Sequence, residues 1–565
     1  MLPPRLPCSL SLLLFAGIQL VSAVHFQPSR HVGLQNFKLP GKRIFRRAPP
    51  QPPARRDVVD VNGTVLPPYD MVYYFDQLID HSNPKLGTFK QRYWHTWEYY
   101  KPGGPILLHT PGEANAESSY TYVTNTSLQG LIAQNFNGAT VVIEHRFFGL
   151  SNPLPDLSEK SLELLTIDQG MKDLVYFSQN VKLPMPGGDT EGIKPHKTPW
   201  ILNGGSYAGG LTTWTMNKNP GVFWAGYSSS GVVKPMVEFW EYFEPIRQNM
   251  PQNCSLDVER VVTWVDDIID GGNSTQLNLA KYLLGLGNIT DTKVFLTTLK
   301  APILTWQDLQ PTTGPQSDFY YFCDLMEVVE GRTSNDGWGL EIAVQQMRYY
   351  FTTVYLPYVY SITCLDFYNS AYIKSTKLDN EDRSWTWMTC NELGWSQGGP
   401  PVGNPAIVSR HLTAAQMEDE CKTAFPGSFN SDSLNSRVEA AASKYLGYEV
   451  TADRLFVANG KRDPWIGVTL SAPSQNIAST ALRPIHVSDG FHCSDMHTNI
   501  ALYDPTIADI HDKALTSMKT WLADFKPQEK PADVPNLTKS NSVRKYVSRG
   551  WDAALLSTFV ILAVL

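Results

Sequence analysis

Short, almost wholly apolar runs recur along the chain, separated by turns rich in glycine and proline. Residues 105–110 (PILLHT), 140–144 (TVVIE) and 200–203 (WILN) are such runs, and 455–458 (LFVA) and 485–487 (IHV) are two more. Strands buried on both faces of a parallel sheet have this pattern. Residues 166–180 instead read as a crossover helix, with Thr166 placed to cap it and Gln169 three residues on. From 232 to 444 the text turns helical, for example at Val261–Ile269 and Leu340–Phe351. The spacing predicts an α/β fold with its core at 57–231 and 445–530. A mainly helical insertion, 232–444, interrupts it.

The two ends read differently. Arg5, the apolar stretch Leu10–Leu20 and the small residues Val21-Ser22-Ala23 form a secretory signal, residues 1–23. Residues 24–56 are proline-rich, lack acidic groups and carry three basic pairs, the marks of a propeptide or a disordered leader. The last thirteen residues, 553–565, are apolar apart from Ser557 and Thr558 and too few to span a bilayer. A polar spacer and the small residues Ser540-Asn541-Ser542 precede them, so the tail 531–565 has the layout of a glycolipid-anchor signal with Ser540 as the anchor site. A terminal helix packed on the domain is the plainer alternative. Six N-x-S/T sequons, at Asn62, Asn125, Asn253, Asn273, Asn288 and Asn536, fit the export route. The expected product is secreted, with membrane attachment through the anchor as the further expectation.

Cysteine use fits an oxidising compartment. Cys8 leaves with the signal. Cys254, Cys323, Cys364, Cys390 and Cys421 lie in the insertion, and Cys493 lies in the core. Fifteen pairings are open to six cysteines. Five cysteines cannot pair among themselves, so either Cys493 tethers the insertion or two thiols stay reduced. We expect two insertion disulfides, with Cys493 and one other cysteine reduced and buried.

Charge sharpens once the ends are trimmed. The chain has 47 Lys+Arg against 54 Asp+Glu, net −7, but residues 1–56 hold nine of the cations and no anion. Without them the net is −16. A protein this acidic is a poor ligand for nucleic acid.

The chemistry centres on Asn203-Gly204-Gly205-Ser206-Tyr207-Ala208-Gly209-Gly210, between a buried strand and a helical segment. A serine on such a sharp turn stands out above the sheet, and crowding demands small neighbours. Ala208 departs from the G-x-S-x-G pattern by one methyl. A serine nucleophile needs a base and a carboxylate to orient it, in the chain order Ser, Asp, His for this fold. Asp463 and His492 follow the strands at Leu455 and Ile485 in that order. His486 reads as part of a strand and His497 as part of a following helix, while Asp489 and Asp495 read as a turn residue and a cap.

Four motifs stand together: Tyr73-Tyr74-Phe75-Asp76-Gln77-Leu78-Ile79-Asp80-His81, Glu144-His145-Arg146-Phe147-Phe148-Gly149, the Ser206 turn, and Asn459-Gly460-x-x-Asp463-Pro464-Trp465. In this order they resemble the family of lysosomal prolyl carboxypeptidase, its dipeptidyl peptidase relatives and fungal proline-directed endopeptidases. The resemblance implies an α/β-hydrolase core with a mainly helical inserted lid domain over the site, and hydrolysis of peptides or proteins after proline or small residues. It implies Ser206 as nucleophile, Asp463 as orienting acid and His492 as base. The N–H of Tyr207 would serve the oxyanion hole, with a second donor from the loop 111–114, taken as Gly112. Trp465 would line the proline pocket, a flat indole against a rigid ring. Glu144, His145 and Arg146 read as buttressing rather than catalytic. No cofactor or metal is expected, since Cys493 with His492 and His497 falls short of a zinc ligand set. An esterase or lipase on the same fold and an inactive surface-binding protein are the rival readings.

Overall fold

The computed structural model describes residues 58–357, 373–429 and 433–529. Residues Met1–Pro527 form one unit, and Gln528–Leu565 a second of which only residues 528 and 529 are described. The signal, the leader, Cys364, Asn536, Ser540 and the tail therefore lie outside the described residues.

Eight strands form one sheet in the order β1-β2-β4-β3-β5-β6-β9-β10. They are β1 (Tyr73–Leu78), β2 (Thr88–Thr96), β3 (Ile106–His109), β4 (Ala139–Ile143), β5 (Trp200–Gly205), β6 (Ala225–Ser229), β9 (Leu455–Gly460) and β10 (Ile485–Ser488). β2 runs antiparallel to both β1 and β4, and the pairs from β4 through β10 are parallel. All five apolar runs are strands, and Thr166 caps the crossover helix Ile167–Asn180 by accepting from Gln169 N.

The core follows from the two-residue period of a strand. Ile106, Leu108, Val141, Ile143 and Leu202 face one side of the sheet, where the helices Ile167–Asn180 and Tyr207–Lys218 pack. Leu107, Val142 and Ile201 face the other, against Leu128 and Ile132 of the helix Leu128–Phe136 and Ala514 and Met518 of the helix Pro505–Ala523. Covered on both faces, the central strands carry apolar residues on both sides rather than on alternate positions. Edge strand β1 instead alternates, with Tyr74 and Asp76 exposed and Gln77 buried.

Between β6 and β9 the chain is mainly helical, including Gln252–Asp270, Thr292–Leu304, Asp318–Glu327, Leu340–Tyr350 and Glu381–Met388. A small parallel pair, β7 (Met236–Glu238) with β8 (Gly394–Ser396), adds a sheet absent from the sequence reading. The architecture is an α/β-hydrolase core with a helical insertion. Phe239, Tyr242, Val261, Phe295, Trp306 and Trp387 of the insertion share one buried cluster with Ile106, Leu202 and Trp214 of the core. Disulfides join Cys254 to Cys323 and Cys390 to Cys421, both within the insertion. Cys493 enters neither bridge and is buried.

One local expectation is corrected. His497 is not helical: it follows the 3-10 turn Ser494–Met496 with φ −109° and ψ 119°, and the long helix starts only at Pro505. Its bridge to Ser127 holds the backbone extended there, and Asp504 caps the helix that follows.

Candidate active site

Ser206 leaves β5 with φ 61° and ψ −129° and enters the helix Tyr207–Lys218. A positive φ is costly for a residue with a Cβ, about 1–3 kcal/mol, and persists only where the surroundings hold it. Here Ser206 N donates to Ser229 O at 2.9 Å, and Ser206 O accepts from Gly210 N at 3.0 Å and Val232 N at 3.3 Å. Gly210 N is the first amide with an i−4 carbonyl to bond, so the amides of Tyr207 and Ala208 precede the helical ladder. Their dipole end favours an anion.

The departure at Ala208 has a counterpart across the site. Gly112 has φ +79°, and a Cβ built on it would lie 3.2 Å from Ala208 Cβ and 3.5 Å from Ala208 N. Space given up at Ala208 is thus matched by a glycine on the facing loop. Gly112 N donates to Thr110 Oγ1 at 3.3 Å, a long bond.

Asp463 and His492 come from the loops after β9 and β10, 29 residues apart in sequence. Both are buried. His492 Nδ1 stands 2.8 Å from Asp463 Oδ1, which also accepts Trp465 N at 2.9 Å. A carboxylate only accepts, so Nδ1 carries the ring proton and Nε2 of the neutral ring is a base. Nε2 is buried with no hydrogen-bond partner, and no bond joins it to Ser206 Oγ in this structure. Burial opposes the imidazolium, yet the adjacent Asp463 carboxylate, with the neighbouring Cys493 side chain adding to it, outweighs burial and holds the His492 pKa well above the ordinary histidine value. The two loops are laced by Lys461 N to Ser488 O at 2.8 Å and Arg462 N to Gly490 O at 3.0 Å. They cross so closely that a Cβ on Gly460 would meet Gly490 O and Phe491 O at 2.4 Å.

The turn Ser229–Ser230 joins the serine's side of the site to the histidine's. Ser229 O accepts Ser206 N, and the Cys493 thiol lies 3.7 Å from the same oxygen. Cys493 N donates to Ser230 Oγ at 2.9 Å.

The rival groups serve elsewhere. His486 lies on β10 against the Phe456 ring, 5.2 Å away. Asp495 accepts from Ser229 Oγ at 2.8 Å and Tyr227 OH at 2.6 Å, bracing the end of β6. Asp489 is exposed. Glu144 binds Arg92 at 2.5 Å and Arg146 binds Asp173 at 2.5 Å, all four buried. Burial pushes His145 down to about 4, and its Nε2 stands 3.2 Å from Tyr207 OH. The neutral ring anchors the side chain that follows the serine.

Trp465 sits in an aromatic box. Its ring lies 5.6 Å from Phe239, 5.3 Å from Tyr242, 5.6 Å from Trp395 and 6.4 Å from His492. Trp385 extends the series, 6.3 Å from Trp395 and 5.7 Å from Tyr207. Phe239, Tyr242, Trp385 and Trp395 belong to the insertion, as do Trp306, Gln307 and Gln310, which bond to Arg462, Trp465 and His492. Sequence reasoning missed all seven, because none lies in a motif and their contacts to the core join segments distant in sequence: Gln307 is 158 residues from Trp465 and Gln310 is 182 from His492.

The model of the family described as serine carboxypeptidase S28 matches residues 77–510. The serine protease vicPa of Bipolaris victoriae is 32% identical over 508 residues, 84% of this chain and 91% of that one. A probable extracellular serine carboxypeptidase of Arthroderma benhamiae is 31% identical, over 77% of this chain and 64% of that one. The lysosomal Pro-X carboxypeptidase of Mus musculus is 23% identical, over 80% and 89%. The chain belongs to the serine carboxypeptidase S28 family and is a serine-type peptidase acting on peptide substrates.

Proposed function

We infer that the protein is an exported peptidase that cuts after proline or a small residue through an acyl-enzyme on Ser206. The carrying observation is the buried Asp463–His492 pair at 2.8 Å, with Nε2 left open in a site whose serine sits on a strained turn. In the first step Ser206 Oγ attacks the scissile carbonyl carbon while His492 Nε2 takes the hydroxyl proton. The oxyanion is met by Tyr207 N–H and by a donor from the loop 111–114, where Gly112 gives the close approach. Such a donor is worth about 10²–10³ in rate. His492 then returns the proton to the leaving amine as the C–N bond breaks. Water, deprotonated by the same ring, hydrolyses the acyl ester and restores Ser206.

The box around Trp465 supports the choice of proline. Flat rings accept a pyrrolidine that has few rotamers to lose on binding. The similarity to a protein named Pro-X carboxypeptidase points the same way. Export rests on the signal and the sequons. Asn62, Asn273 and Asn288 are exposed and Asn125 and Asn253 half-buried. Surface attachment rests on the anchor signal at Ser540, and the name of the extracellular relative supports export alone.

Mapping cleavage sites in a mixed peptide library, beside labelling with an active-site serine probe, tests this reading. Probe label on Ser206 with cuts after proline or small residues is expected. Label elsewhere rejects the nucleophile, and cuts indifferent to the residue before the bond reject the pocket.

A further inference from the structure

One short stretch of the insertion grips both loops of the Asp463–His492 pair. After the helix Thr292–Leu304 the chain makes a 3-10 turn, Thr305–Asp308, and continues to Gln310. Trp306, fully buried, donates Nε1–H to Arg462 O at 2.8 Å, on the residue before Asp463. Gln307 Oε1 accepts Trp465 Nε1–H at 2.6 Å and Tyr242 O–H at 2.8 Å, two residues past Asp463. Gln310 Nε2 donates to His492 O at 3.2 Å, and its Oε1 accepts Ser494 O–H at 2.7 Å. Ser494 Oγ in turn accepts Phe491 N at 2.9 Å.

The histidine loop needs such a grip. Cys493, between the two residues that Gln310 holds, has φ 54° and ψ 25°. A left-handed conformation is unfavourable for a residue other than glycine, asparagine or aspartate. Released, the loop gains by relaxing toward ordinary backbone angles, and that would turn the imidazole away from Asp463. One amide spanning His492 O and Ser494 Oγ bridges the strained residue from both sides. Gln310 N is itself fixed by donation to Thr313 Oγ1 at 2.6 Å, so the grip starts from an anchored backbone.

We propose that Gln310 is a positioning residue for His492, and that the segment Trp306–Gln310 makes the insertion part of the catalytic apparatus. The proposal rests on His492 being the base. Gln310 bonds the backbone carbonyl of His492 and the Ser494 hydroxyl rather than the imidazole. It acts by holding the ring in place. A misplacement of about 1 Å in a reacting group costs on the order of 10²-fold in rate.

The test compares Gln310→Met with wild type in the full-length secreted protein. Methionine keeps the side-chain volume and removes both hydrogen bonds. We expect kcat to fall about 10- to 100-fold, with KM changed by less than about threefold. The low-field proton resonance of His492 Nδ1–H should broaden or vanish, a signature that lost packing far from the ring would leave intact. A kcat within about threefold of wild type, or a change confined to KM, overturns the proposal. If Gln310→Met does not fold by thermal melting, Gln310→Glu carries the test. It keeps the acceptor for Ser494 but offers no donor to His492 O, and the same loss in kcat is expected. His492→Ala runs in parallel: wild-type turnover there rejects the base itself. An inactive His492→Ala beside a fully active Gln310 variant rejects the positioning role alone.

Discussion

Asp463 holds His492 through one oxygen: Oδ1 meets His492 Nδ1 at 2.8 Å and Trp465 N at 2.9 Å, while the buried Oδ2 has no hydrogen-bond partner. The backbone amide fixes which oxygen faces the ring, and the carboxylate's charge is directed at the imidazole. With His492 as the proposed base, hydrolysis needs the neutral ring, so kcat/KM should fall as pH drops through a His492 pKa held above its ordinary value. Asp463→Asn should lower kcat by about 10⁴. It should also move the acid limb of the residual activity to lower pH, because the imidazolium loses its counter-charge. A pH–rate profile whose acid limb does not move in this variant rejects the coupling.

Ser206→Ala should fold and be secreted as wild type while losing about 10⁴–10⁶ in rate. His492→Ala should behave alike. His486→Ala and His497→Ala should keep most activity, since one lies on β10 and the other beyond the 3-10 turn Ser494–Met496. Turnover of a proline peptide by the purified variants decides among them, and wild-type rates from Ser206→Ala remove the nucleophile.

Trp465→Ala should weaken the choice of proline by about 1–3 kcal/mol. Trp465→Phe should keep more of it, because a flat ring remains in the box of Phe239, Tyr242 and Trp395 although the bond to Gln307 is lost. The measurement is kcat/KM on matched substrates with proline or alanine before the scissile bond. Equal losses on both would leave Trp465 as packing alone.

Glu327 closes the helix Asp318–Glu327 with both carboxylate oxygens buried and without hydrogen-bond partners. Burial and the nearby Asp257 carboxylate push it up to about 7, against a smaller pull from Arg260. Below pH ~4.5 the group is neutral folded and unfolded, and it makes no difference. As pH rises towards 7 the unfolded chain gives up this proton and the folded chain keeps it, so stability falls across that window. Glu327→Gln should therefore raise Tm by about 1–3 °C at pH 8 and leave it unchanged at pH 4. An equal shift at both pH values would show an effect of shape rather than charge.

Local pattern was enough for five of the six parallel strands, all but β6, and for the crossover helix capped by Thr166 and the turn around Ser206. Each is set by residues within one turn or strand, where apolar period, cap chemistry and small-residue crowding are read directly. Asp463 and His492 were legible for a related reason: strand ends of a parallel sheet lie along one edge, so residues just past them converge. The tertiary structure alone decided the rest. The antiparallel pairing of β2 with β1 and β4, and the short β7–β8 pair, depend on neighbours that no local pattern names. The match of Ala208 to Gly112, the crossing at Gly460 and the aromatic box are contacts between segments that meet only when the sheet closes. Gln310 is the clearest case. A glutamine in a helical insertion has no signature of its own, and its role follows from an amide 182 residues from His492 reaching that residue's carbonyl oxygen.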